Sequence, residues 1–86
     1  MIYLAHIHRD HADDGRPVFG VSFPDVPGCV TYADPRDTPR ALHERAQEAL
    51  EAHLASMRDH AEPTPAPSPR IKRGGAWAVL RVEVRP

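Results

Sequence analysis

Only one stretch of this chain has helical spacing, and prolines fix where it must lie. From Arg40 onward, Leu42, Ala46, Ala49, Leu50, His53, Leu54 and Met57 recur three and four residues apart. Glu44, Arg45, Gln47, Glu48, Glu51 and Arg58 fall mainly on the opposite side. Asp37 or Thr38 is suited to cap the first turn, and Pro39 stands at or near the first helical position, where a missing N–H costs nothing. Downstream, Pro63, Pro65, Pro67 and Pro69 occupy alternate positions, which neither a helix nor a central strand tolerates. The spacing predicts one amphipathic helix of about five turns. Its apolar stripe needs a sheet to cover.

The rest of the chain supplies that sheet. Tyr3, Ala5 and Ile7 alternate with Ile2, Leu4, His6 and His8, a period of two that predicts a first strand over Ile2 to Arg9. The polar run from Asp10 to Pro17 has the length and composition of a hairpin connection. A second strand is expected from Val18 to Phe23, with Gly20 leaving room for a close neighbour. Pro24-Asp25-Val26-Pro27-Gly28 forces a reversal, and Cys29 to Ala33 has the β-branched and aromatic content of a short third strand, closed by the turn-prone Asp34 to Asp37. After the helix, residues 61–75 form a Pro/Gly-rich connector, stiff through its alternating prolines. A ligand for an SH3-type domain is the lesser reading of Pro-x-x-Pro here, and a helix-to-strand crossover the greater. Ala76 to Val84 then alternates as a last strand. The expected architecture is an α+β domain, β-β-β-α-β, spanning residues 1–86: a single sheet with one packed helix and no internal repeat.

Composition narrows what such a domain can do. With 41% hydrophobic and 27% charged residues the chain reads as a soluble globular protein, and no apolar run approaches the roughly 18 residues of a membrane span. The start, Met1-Ile2-Tyr3-Leu4, lacks the pattern of a secretory signal, so a cytoplasmic location is expected. Cys29 is the only cysteine, which excludes an internal disulfide. A formal net charge of −1 gives no overall footprint for nucleic acid, and direct DNA binding is not expected. Arg70, Lys72, Arg73, Arg81 and Arg85 make the last third basic, whereas Asp10, Asp13, Asp14, Asp25, Asp34 and Asp37 weight the first half towards acid. That asymmetry suits a protein partner of mixed charge.

Candidate chemistry is sparse. His6, His8 and His11 with Asp10 are the one group resembling metal ligands, but His-x-His without a placed third ligand reads better as a solvated strand face. Cys29 follows a Pro-Gly turn with no assured base and reads as core packing, and Asp25, Asp34 and Asp37 read as turn formers, not as a nuclease set. No catalytic residue, metal site or cofactor is expected.

One segment goes beyond pattern. Phe19-Gly20-Val21-Ser22-Phe23-Pro24-Asp25-Val26-Pro27-Gly28-Cys29-Val30-Thr31 resembles the signature run of HicB-type antitoxins, in which a strand enters a Pro-Asp-x-Pro-Gly-Cys turn. The similarity continues through Asp37-Thr38, the helix segment Ala46 to Leu54, Glu62-Pro63 and Pro65 to Ser68. The resemblance implies a partial ribonuclease-H-like fold without a working nuclease site. It also implies a partner, the HicA-type toxin, a small RNA-cleaving protein that the domain sequesters, and assembly as a homodimer or homotetramer. On that basis the toxin-binding residues are expected to be Asp13 and Asp14 of the acidic hairpin with Pro24, Asp25, Val26, Pro27 and Gly28 of the signature loop, Asp25 being the best polar contact. The chain departs from the family pattern in the loop around Tyr32 to Arg36 and at Arg40-Ala41, where the family usually has acidic residues. It is expected to be the neutralising part without a C-terminal DNA-binding domain. The alternative is a stand-alone oligomeric structural or small-ligand-binding module.

Overall fold

The computed structural model describes residues 1–68 and 74–85. They form β1 (Ile2–His11), β2 (Pro17–Ser22), β3 (Val30–Ala33), α1 (Pro39–Asp59) and β4 (Ala78–Glu83), the expected order and class. The strands make one antiparallel sheet in the order β3-β2-β1-β4, so β1, the most regularly alternating segment of the sequence, sits inside it. Of the connector expected over residues 61–75, residues 69–73 lie outside the described residues, as do Arg70, Lys72 and Arg73.

Alternation decides which face is buried. Tyr3, Ala5 and Ile7 of β1 are fully buried, opposite Val82, Leu80 and Ala78 of β4, and Val21 of β2 lies beside Ile7. Against this face α1 sets Leu42, Ala46, Leu50 and Leu54, spaced four apart. The stripe is narrower than the periodicity predicts, because Ala49, His53 and Met57 lie on its margin and stay half-buried. Phe23, Val26 and Cys29 close the core at one end.

Boundaries shift for local reasons. β1 runs on to His11, since Ala12 N–H donates to Arg16 O at 2.8 Å and the turn needs only residues 12–16, with Gly15 at φ 85°. Phe23 and Cys29, expected in strands, belong to the tight turns between β2 and β3 and yet remain core. β4 is shorter than the 76–84 expected, with Trp77 N–H still bonded to Ile7 O.

The ends of α1 are set by chemistry legible in the sequence at one terminus only. Thr38 caps the start, its Oγ accepting from Ala41 N–H at 3.1 Å, with Pro39 next in the first turn. The stop depends on Ala61, held at φ 55° so that Glu62 N–H reaches Met57 O at 2.8 Å. A left-handed backbone is costly for any residue with a Cβ. Ala61→Gly is therefore expected to stabilise the domain by about 0.5–1 kcal/mol, seen as a higher midpoint in thermal denaturation. An unchanged or lower midpoint would show that the cap carries no strain.

Candidate functional site

The two segments expected to form one binding surface lie at opposite ends of the sheet. β2 leads from the hairpin tip, with Asp13 and Asp14, to the loop of Pro24 to Gly28, and six residues at about 3.3 Å each put roughly 20 Å between them. They are separate surfaces.

The loop is built tightly. Val26 N–H donates to Phe23 O at 2.9 Å and Cys29 N–H to Val26 O at 3.1 Å, two successive turns that require Gly28 at φ 86°. Val26 is 1% exposed, so it plugs the core and offers nothing to a partner. Cys29 is buried too; its Sγ faces Ala49 O at 3.8 Å, and burial pushes the thiol pKa up, opposite to what a nucleophile needs. Pro24, Pro27 and Gly28 are exposed.

Asp25 has an internal use. Its carboxylate accepts the Ser68 N–H at 2.5 Å, and beside it the Tyr3 hydroxyl donates to Pro65 O at 2.6 Å. Together they clamp the proline-rich segment to the sheet. Prolines lack N–H donors and leave such a segment without a ladder of its own, so anchoring falls to side chains. Burial first, and then the charge of Asp25, raises the Tyr3 pKa above its ordinary 10.0. The clamp was not legible in the sequence, since its partners are 62 and 43 residues apart.

At the other end, the hairpin tip exposes Asp10, Asp13 and Asp14. Asp14 takes Arg16 Nε at 2.7 Å, and Asp10 accepts His11 N–H at 2.8 Å, whereas Asp13 has no partner among the described residues. A shallow cleft of about 430 Å³ separates Asp10 and Asp13 from Val18 and Tyr32. The Tyr32 ring fills the room beside Gly20, 3.8 Å from where a Cβ would stand. A second cleft, of about 580 Å³, continues past Tyr32 to Arg36 and Arg45. Asp34 is a turn former, as expected: Arg36 bonds its carboxylate through the side chain and backbone N–H and holds its pKa down to about 2.

The histidines separate by strand parity. His6 and His8 share the face away from α1, with ring centroids 6.1 Å apart, while His11 falls on the opposite face. Among the described residues there is no group of three or more His, Cys, Asp or Glu side chains placed to hold a metal ion, and no helix is long and apolar enough to cross a membrane.

The polar flank of α1 also has a structural task. His43 Nε2 lies 2.9 Å from Arg81 O, Gln47 Nε2 donates to Glu83 O at 2.7 Å, and Glu51 accepts the Arg85 N–H at 2.7 Å. Three residues spaced four apart thus cover the outer edge of β4 from Arg81 onward, and Glu51 also pairs with the Arg85 guanidinium, which lowers its pKa. In the sequence Gln47 and Glu51 read as solvent-facing, because their spacing does not reveal a strand edge alongside. The opposite edge, β3, exposes Val30 and Tyr32 at 54% and 56%.

Comparison with known proteins places this arrangement. The profile of a family described as HicB-like antitoxin of bacterial toxin-antitoxin systems matches residues 3–84. The chain belongs to that family. A solved structure titled "HicA3 and HicB3 toxin-antitoxin complex" contains a chain of the same fold, with a TM-score of 0.69 and 27% identity over 100% of both chains. No curated protein sequence matches. In this HicB-like chain the signature run is thus first a folding device: its buried Val26 and Cys29 close the core and its Asp25 clamps the crossover.

The clamp has a measurable signature. Tyr3→Phe is expected to cost about 1 kcal/mol of stability at neutral pH through loss of the bond to Pro65 O. Because the folded state holds the Tyr3 proton more tightly, its contribution is full below about pH 10 and is lost as pH rises through the folded value. Urea denaturation from pH 7 to 11 should therefore show a steeper alkaline loss in the parent chain than in Tyr3→Phe; identical profiles would remove Tyr3 from the clamp.

Proposed function

We propose that this domain binds a HicA-type toxin and neutralises it by covering its RNA-binding and active-site surface, acting as a binding protein without catalysis of its own. The observation that carries the reading is family membership across residues 3–84, and the neighbour's title pairs an antitoxin with a toxin. The buried Cys29 and the Asp34 held in its turn by Arg36 both favour binding over chemistry.

Of the two separated ends, the hairpin tip is the proposed toxin contact. Asp13 and Asp14 stand exposed on a two-strand projection, beside Asp10 and against a cleft floored by Val18 and Tyr32. An RNA-binding toxin presents basic groups, and an acidic projection draws these in and then occupies the place of the phosphates. Pro24, Pro27 and Gly28 form the second exposed surface, with Asp25 supporting the loop from behind. Self-association into a dimer or tetramer, in the cytoplasm, completes the proposal.

The test is co-expression with a HicA-type toxin encoded beside this chain, followed by affinity measurement on the purified pair. Relief of growth arrest is expected, and arrest that persists would sink the reading. The double variant Asp13→Lys, Asp14→Lys should weaken binding by roughly tenfold or more and flatten its salt dependence. Its thermal stability should stay within about 0.5 kcal/mol of the parent, because the exposed Asp14–Arg16 pair contributes little.

A further inference from the structure

The two edges of the sheet are treated differently, and hydrogen-bond parity shows what the open one can accept. Val84 N–H donates to Met1 O and Ala12 N–H to Arg16 O, which fixes the alternation across the sheet. Odd residues of β1 bond to β4 and even ones to β2; odd residues of β2 bond to β3. On β4 the outward backbone groups therefore belong to Val79, Arg81 and Glu83, continued by Arg85 just past the strand, and of these His43, Gln47 and Glu51 cover the last three. On β3 they belong to Val30 and Tyr32, and among the described residues nothing covers them. The side chains of the same two residues point away from α1 and are more than half exposed.

We propose that β3 pairs antiparallel with β3 of a second copy of this chain about a two-fold axis at Thr31. Facing residues in an antiparallel pair share a sheet face, and each hydrogen-bonded pair must join two outward residues. An axis at Thr31 meets both conditions, setting Val30 opposite the second copy's Tyr32, and Tyr32 opposite its Val30. Both are pairs of an aromatic with a β-branched side chain, a favourable cross-strand combination. An axis at Tyr32 would instead set Val30 against Asp34, whose carboxylate is engaged by Arg36. Val30 to Ala33 carries no charge, so its backbone edge offers a basic toxin less than the acidic tip does, whereas a second copy finds its own complement there. The inference rests on the self-association proposed above and adds its edge and register.

Cysteine scanning of the full chain tests the register. Facing residues at the axis form a non-hydrogen-bonded pair with Cα atoms about 4.5 Å apart, within disulfide reach. Thr31→Cys is expected to cross-link with itself under mild oxidant. Val30→Cys and Tyr32→Cys should each fail alone and cross-link when mixed. Cys29, buried, gives little background. Val30→Pro removes an outward N–H without breaking a ladder bond in the chain, and is expected to reduce the sedimentation mass from a dimer to a single chain with circular dichroism preserved. A parent dimer in which Thr31→Cys does not cross-link overturns this register and leaves self-association standing; a parent of single-chain mass overturns both. A single-chain parent whose Val30→Pro variant loses toxin binding assigns the edge to a strand of the toxin and overturns the pairing of copies.

Discussion

Everything in this fold depends on one strand having two unlike faces. Tyr3, Ala5 and Ile7 are sealed under α1, while the alternate residues Leu4, His6 and His8 point the other way. Because β1 pairs on both sides, it fixes the register of β2 and β4, and through β2 that of β3. A one-residue slip would bring His6 and His8 under the helix and expose Tyr3 and Ile7, a change that no compensating contact in a domain of this size could offset. The single helix then needs only one narrow stripe, and Leu42, Ala46, Leu50 and Leu54 provide it.

Elements whose signal is local were legible in the sequence. The alternation of β1, the Thr38-Pro39 start of α1 and the reversal at Pro24 to Gly28 each depend on residues within a few positions, where sterics and capping decide. What escaped is non-local. Asp25 reads as a turn residue or a surface contact until Ser68 arrives from 43 residues away. Gln47 and Glu51 read as solvent-facing until β4 lies alongside. The layout of the candidate site was the least legible part, since Asp13 and Asp14 are brought in by charge and the signature loop by resemblance, and the length of β2 divides them in space.

The signature segment shows how a family motif can serve the fold before it serves any contact. Gly28 supplies the left-handed turn, Val26 and Cys29 fill the end of the core, and Asp25 fixes the crossover that returns the chain to β4. Each position is used within the fold, leaving the adjoining Pro24 and Pro27 as the part that solvent or a partner meets.

On β3 the direction of the backbone hydrogen bonds and the direction of the side chains are locked together. Thr31 and Ala33 bond inward and face the helix; Val30 and Tyr32 bond outward and face away from it. Mutational change can therefore be sorted by parity: exchanges at positions 30 and 32 alter what the edge meets, and exchanges at 31 and 33 alter what it is made of. A lineage that duplicates such a domain could diversify the first set freely while holding the second, so that sister copies come to distinguish themselves from one another without any loss of the fold they share.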